Sequence, residues 1–208
     1  QYDVMFELND PPCYEPDPKS SIAARAKREG RDPADVAYDL LLEKDGRGML
    51  VVAFGNYPGD TLDHLWDFFD DPNSVMGLGD GGAHYGLICD SSYPTFVLTH
   101  WARDRKGRRL SVERAVRAIT SHPAGIIGLK DRGVIARGYK ADINIIDFDR
   151  LTLHAPEITD DLPGGGRRLD QRATGYRWMI VSGEVITRGD KPTGVLPGRL
   201  VRGGQSAP

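Results

Sequence analysis

Cysteine is scarce in this chain: its 208 residues contain two, Cys13 and Cys89, far apart and in no CxxC spacing. That excludes a disulfide framework and a cysteine-based zinc site, and a reducing, cytoplasmic setting is expected. Long apolar runs are also missing, so no membrane span is expected, and no signal-peptide pattern opens the sequence. Charge of one sign is lacking too. A net charge of -3 and a pI near 6.0 give no long-range pull on phosphate backbones or anionic lipid, so neither nucleic acid nor membrane is an expected partner. The basic clusters in "DRKGRR" and "GGRR" are short and isolated, and they read as solvated loops. There is no GxSxG elbow for a serine hydrolase and no internal repeat. The five histidines, His64, His84, His100, His122 and His154, form no HxH pair.

What is present is an ordinary globular composition, 39% apolar and 27% charged, enough for one sizeable core or two small ones. Residues 1–20, rich in Pro and Asp, read as an extended loop. Asp32 and Pro33 start a helix with Val36, Ala37, Leu40 and Leu41 on its apolar face. "GMLVVAF" (48–54) is continuously apolar, as expected of a buried parallel strand covered on both faces. Thr61 opens a second helix carrying Leu62, Leu65, Trp66 and Phe69. "SVMGLG" reads as another short buried strand, with Asp80 at its carboxyl end. Ser111 caps a helix whose face is Val112, Ala115, Val116 and Ile119, with Pro123 beyond its end. Strand and helix alternate here as in a βα architecture. After Leu129 the pattern becomes short strands and glycine turns: "ADINIIDF" alternates only partly, "YRWMIVSGEVITRGD" is a hairpin turning at Ser182 and Gly183, and "DLPGGGRRLDQRATG" is a surface loop.

The stretch "GLGDGGAH" (77–84) supports three readings. A tight turn needs glycines for their backbone freedom. A GxGxxG nucleotide cradle matches literally, but Gly86 and Pro94 interrupt the helix it needs, and Asp80 would set a carboxylate against the phosphates. A catalytic carboxylate at the end of a barrel strand is the third, since barrel enzymes keep their chemistry there.

Together with "ICDSSYPTFVLTHWARD", "PAGIIGLKDRGVIARGYKADINIIDFD" and "GGRRLDQRATGYRWMIVSGEVITRGDKPTGVLPGRLVRG", this stretch resembles the C-terminal third of the amidohydrolase superfamily. Within it the similarity is to the N-acyl-D-amino-acid deacylase (D-aminoacylase) group. The resemblance implies an α/β fold: residues 1–130 would be the C-terminal portion of a (β/α)8 TIM-like barrel, its last strands and helices, and residues 131–208 part of a small composite β-sandwich. It also implies a metal, usually zinc (Zn2+), at the carboxyl ends of the strands, with Asp80 contacting the metal or its water and shuttling a proton from the attacking hydroxide to the leaving amine. An N-acylated amino acid would be the small-molecule substrate. A hydantoinase-like cyclic-amide hydrolase would share Asp80 and the sandwich, and a metal-free, non-catalytic binding module is the alternative from another class.

Amide hydrolysis suits that assignment: a metal can activate water, and a carboxylate can serve as base and then as acid to a poor leaving group. Gly81 and Gly82 would let substrate approach closely. Because a zinc site usually needs three protein ligands and a complete barrel about 250 residues, the chain is expected to be an incomplete enzyme, inactive alone, whose partner is the N-terminal remainder of the same protein. His84 could line the substrate pocket or serve a loop. Asp90 and Ser91 could touch substrate or form a turn. Cys89 reads as a small buried apolar residue, His100 as a core histidine, His64 as solvated, His122 as facing the last carbonyls of a helix, and Asp142 as structural.

Overall fold

The computed structural model describes residues 1–53, 55–77, 79 and 84–208. They form two compact units, Gln1–Ser74 and Val75–Pro208.

In the first unit the segment read as a loop contributes a short strand, β1 (Met5–Glu7), and a 3-10 turn, Pro18–Ser20. Helix α1 (Ile22–Glu29) starts where the Ser21 hydroxyl accepts from the Ala24 N–H at 3.2 Å, and it stops at Gly30 in the left-handed conformation. Helix α2 (Pro33–Gly46) is capped as its Asp-Pro start requires, with Asp32 Oδ1 accepting from the Ala34 N–H at 2.8 Å. Val36, Ala37 and Leu40 form one buried cluster with Ile22 and Ala26, and Met5 and Leu50 pack against it. Leu41 is 43% exposed, so the apolar face is narrower than its spacing suggests.

Strand β2 (Leu50–Val52) pairs antiparallel with β1, Phe6 opposite Val51. This corrects the reading of 48–54 as a parallel strand covered on both faces: the apolar run serves packing through Leu50 onto the α1–α2 cluster, and Val52 is 39% exposed. Helix α3 (Leu65–Asp70) begins after Thr61 rather than at it. Thr61 donates to Glu15 Oε1 at 3.0 Å and accepts from the Asp63 N–H, fixing a turn ahead of the helix. Leu62 and Trp66 are buried as their spacing requires. His64, read as solvated, instead precedes α3 with a buried Nδ1 that has no hydrogen-bond partner among the described residues.

The expected strand over 74–79, which begins at the last residue of the first unit, is not formed by its described residues, 74–77 and 79. In the second unit helix α4 (Tyr93–Phe96) continues as a π-helical segment, Val97–Asp104, that buries Val97, Leu98, Thr99 and Trp101. The "DRKGRR" cluster that follows is exposed, as its sequence indicates, except at Arg105. Arg105 is 5% exposed with its guanidinium 4.6 Å from the Trp101 ring centre, and Arg103 donates to the carbonyls of Phe148 and Leu151. Ser111 caps α5 (Val112–Ile119) through the Arg114 N–H at 3.2 Å, and Ala115 is fully buried. Pro123 lies within the first turn of a new helix, α6 (Ser121–Ile126), where its missing N–H costs nothing. His122 therefore stands at a helix start and not beside terminal carbonyls.

Strands β3 (Ile143–Ile146), β4 (Thr152–Leu153), β5 (Glu157–Leu162), β6 (Gly166–Asp170), β7 (Ala173–Thr174), β8 (Tyr176–Val181), β9 (Glu184–Arg188) and β10 (Lys191–Pro192) complete the unit. They pair antiparallel in small open sheets: β10-β9-β8-β3, β4-β7 and β5-β6. A register shift between Ile145 and Ile146 explains why β3 alternates only partly. The β8–β9 hairpin turns at Ser182 and Gly183 as its sequence indicates, both with positive φ, and Asp142 Oδ1 accepts from the Ser182 N–H at 2.8 Å, a structural role. Among the described residues no helix is long and apolar enough to cross a membrane.

Candidate functional site

Asp80, Gly81 and Gly82 lie outside the described residues. The flanking Gly79 is described, and it shows a tight fit. A Cβ there would stand 2.8 Å from the Asp90 carbonyl oxygen and the Ser91 Cα, and 2.9 Å from the Tyr93 ring. Gly77 would meet nothing within 4 Å. Gly79→Ala is therefore expected to cost about 1–3 kcal/mol by overpacking. Gly77→Ala should be far milder, and paired thermal or urea unfolding of the two variants checks this.

After the glycines, His84 adopts positive φ (55°), and its carbonyl accepts from the N–H groups of Leu87 (2.7 Å) and Ile88 (2.9 Å). That is a loop-forming role, and the exposed His84 is not part of the cavity described next. Asp90–Ser92 is a single 3-10 turn leading into α4. Among the described residues 84–92, then, no long helix follows the glycines to receive a dinucleotide phosphate.

Between this loop and the β5–β6 hairpin lies a cavity of about 280 Å³, lined by Tyr85, Ile88, Cys89 and Ser91 on one side and Leu162, Arg168 and Leu169 on the other. Its two walls are tied together, because the Leu169 N–H donates to the Tyr85 carbonyl at 2.7 Å and the Ser92 hydroxyl donates to Gln171 Oε1. Of the described candidates, Ser91 reaches the cavity, while Asp90 is exposed and outside its lining.

The hairpin wall was read as a glycine-rich surface loop, a reading the structure corrects. The turn itself is only Pro163–Gly165, where Gly164 and Gly165 have positive φ, and Gly166 already opens strand β6. The flanking residues pair, and "GGRR" belongs largely to strand β6. A signal was available in the acidic "EITDD" before the turn and the basic "RR" after it, which place opposite charges across a hairpin.

Arg168 is held tightly in that hairpin. Its Nε and Nη2 donate to the two Asp161 oxygens at 2.8 Å, and Nη1 donates to Asp170 Oδ1 at 2.9 Å. These bonds raise the guanidinium's pKa, and they hold Asp161 below the usual carboxylate range. Burial first, and then the negative charges of Asp170 and Asp90, push the Cys89 thiol up. It stays protonated at neutral pH, in keeping with its reading as a small packing residue rather than a nucleophile. His100 is half-buried; it stacks on Phe96 at 5.0 Å and meets Trp101 edge-on at 5.5 Å, a packing role at the margin of the core.

Among the described residues the loop 85–91 and the β5–β6 hairpin thus enclose a shallow, largely apolar cavity. A sequence model of the amidohydrolase family matches residues 18–187. The chain belongs to the amidohydrolase family and carries a hydrolase domain. No curated protein and no solved structure matches it. Members of the family commonly bind metal ions. Among the described residues no group of three or more His, Cys, Asp or Glu side chains comes together to hold one, so these residues do not by themselves fit a metal centre.

Proposed function

We propose that the chain is part of a metal-dependent amidohydrolase that removes the acyl group from N-acyl-D-amino acids. The family match across residues 18–187 carries the hydrolase part of this reading, and the resemblance of "GLGDGGAH", with its acid Asp80, and of the "GGRR" tail to the deacylase group supports the substrate. In this reading residues 1–130 belong to the C-terminal portion of a TIM-like barrel and residues 131–208 to its β-sandwich, with the remaining metal ligands supplied by other strands of the complete enzyme.

Zinc, held by Asp80 together with ligands from other strands, would supply a Lewis acid able to acidify water and polarise the amide carbonyl. Asp80 takes the proton of the attacking water and returns it to the departing nitrogen, which could not otherwise leave as an amide anion. Gly81 and Gly82 leave room for the substrate amide beside that carboxylate.

The test is to measure zinc content and amine release from paired N-acetyl-D- and N-acetyl-L-amino acids with the full-length protein. Stoichiometric zinc with cleavage confined to the D series is the expected result. Zinc with neither series cleaved moves the chemistry to another amide, such as a cyclic one. Absence of both zinc and amine release overturns the proposal.

A further inference from the structure

The cavity between residues 85–91 and the β5–β6 hairpin has a definite chemical preference. Tyr85, Ile88, Leu162 and Leu169 give it an apolar surface, to which Cys89 adds a protonated thiol. Its charged lining residue, Arg168, is already engaged by Asp161 and Asp170, and Asp170 also accepts from Arg172 Nε at 3.2 Å, so these charges are paired with one another. An anionic group entering here would find its natural partner occupied and two acids nearby. An uncharged apolar group would meet only dispersion contacts and leave water.

Size narrows the occupant further. At about 280 Å³ the space exceeds the roughly 150 Å³ that accepts benzene, yet it falls just short of the roughly 300–1,000 Å³ of whole-ligand pockets. It suits one branched, aromatic or short linear hydrocarbon group, but not an entire N-acylated amino acid. In sequence, Tyr85 follows the candidate acid, Asp80, by five positions.

We propose that this cavity is the subsite for an uncharged apolar group of the substrate, either its acyl tail or a hydrocarbon amino-acid side chain. The assignment rests on the amide-hydrolase reading above for its substrate, but it is tested by binding alone. The experiment follows the methyl NMR signals of Ile88, Leu162 and Leu169 in the full chain while hexanamide or hexanoate is titrated in. Hexanamide is expected to shift all three, and hexanoate to bind at least about tenfold more weakly, a difference well within what one pocket can impose.

Cys89→Trp, which fills the space, should abolish the hexanamide shifts. Leu162→Ala, which enlarges it, should move the preference toward octanamide, and because these variants act in opposite directions a folding defect cannot produce both results. N-hexanoylglycine and N-acetyl-D-leucine then separate the sources, since Cys89→Trp should weaken the one whose hydrocarbon enters the cavity. Unmoved methyl signals at saturating hexanamide, hexanoate binding as well as hexanamide, or both amino-acid derivatives indifferent to Cys89→Trp would overturn the proposal. Failure of the deacylase reading shows separately, as absent amine release with hexanamide binding intact.

Discussion

Asp80→Asn is expected to lower kcat for an N-acetyl-D-amino acid by about 10²–10⁴-fold, the range of a positioned acid-base group. Asparagine matches aspartate in shape and keeps one acceptor oxygen, but it cannot take a proton from water or return one to nitrogen. The loss should therefore fall on kcat, with KM, the unfolding midpoint and hexanamide binding close to wild type. A residue that merely shaped the glycine turn would behave in the opposite way, lowering the midpoint while sparing turnover. The pH–rate profile adds a second reading. If Asp80 is the base, the acidic limb of kcat/KM belongs to its titration and should vanish from the residual activity of the variant. A variant that keeps both its acidic limb and full turnover would remove Asp80 from the mechanism.

Asp80 stands out in sequence because it is an acid among small residues, a composition unsuited to packing. The residues that build the cavity were harder to find. Capping and turn chemistry are local, so Asp32, Ser111 and the Ser182–Gly183 hairpin were legible from a few neighbouring residues and are found in the structure. Strand pairing is not local. The run at 50–52 carries the same apolar signal whether its neighbour is parallel or antiparallel, and only the distant Met5–Glu7 decides it. The β5–β6 hairpin was hidden differently. Its glycines dominate the reading of a whole segment although only two of them form the turn, so Leu162, Arg168 and Leu169 do not show as cavity residues from sequence. Burial of basic residues was equally invisible, because the sequence shows Arg105 as one of several charges, while its partner, the Trp101 face, emerges only once the π-helical segment folds.

That partnership sets the second large effect. Trp101→Ala is expected to destabilise the protein by about 3–5 kcal/mol, the usual cost of deleting a large buried aromatic side chain. Trp101 is 1% exposed and among the largest fully buried side chains. Its removal opens a void beside His100 and strips the aromatic face from Arg105, a cation that is itself 5% exposed. Against a total stability of about 5–15 kcal/mol, such a loss leaves the fold marginal. Trp101→Phe, which keeps a ring beneath the guanidinium, should recover more than half of it, and urea unfolding of the two variants measures the difference. The consequence reaches the cavity through the chain. Trp101 anchors the segment that begins at α4, and α4 continues directly from the Asp90–Ser92 turn that carries Ser91 into the lining. Loosening that anchor should weaken hexanamide binding in Trp101→Ala even below the denaturant concentrations at which it unfolds, while Trp101→Phe binds normally. If Trp101→Ala loses stability yet binds hexanamide as wild type does, the cavity is held by the Leu169–Tyr85 tie of the hairpin and not by the helical core.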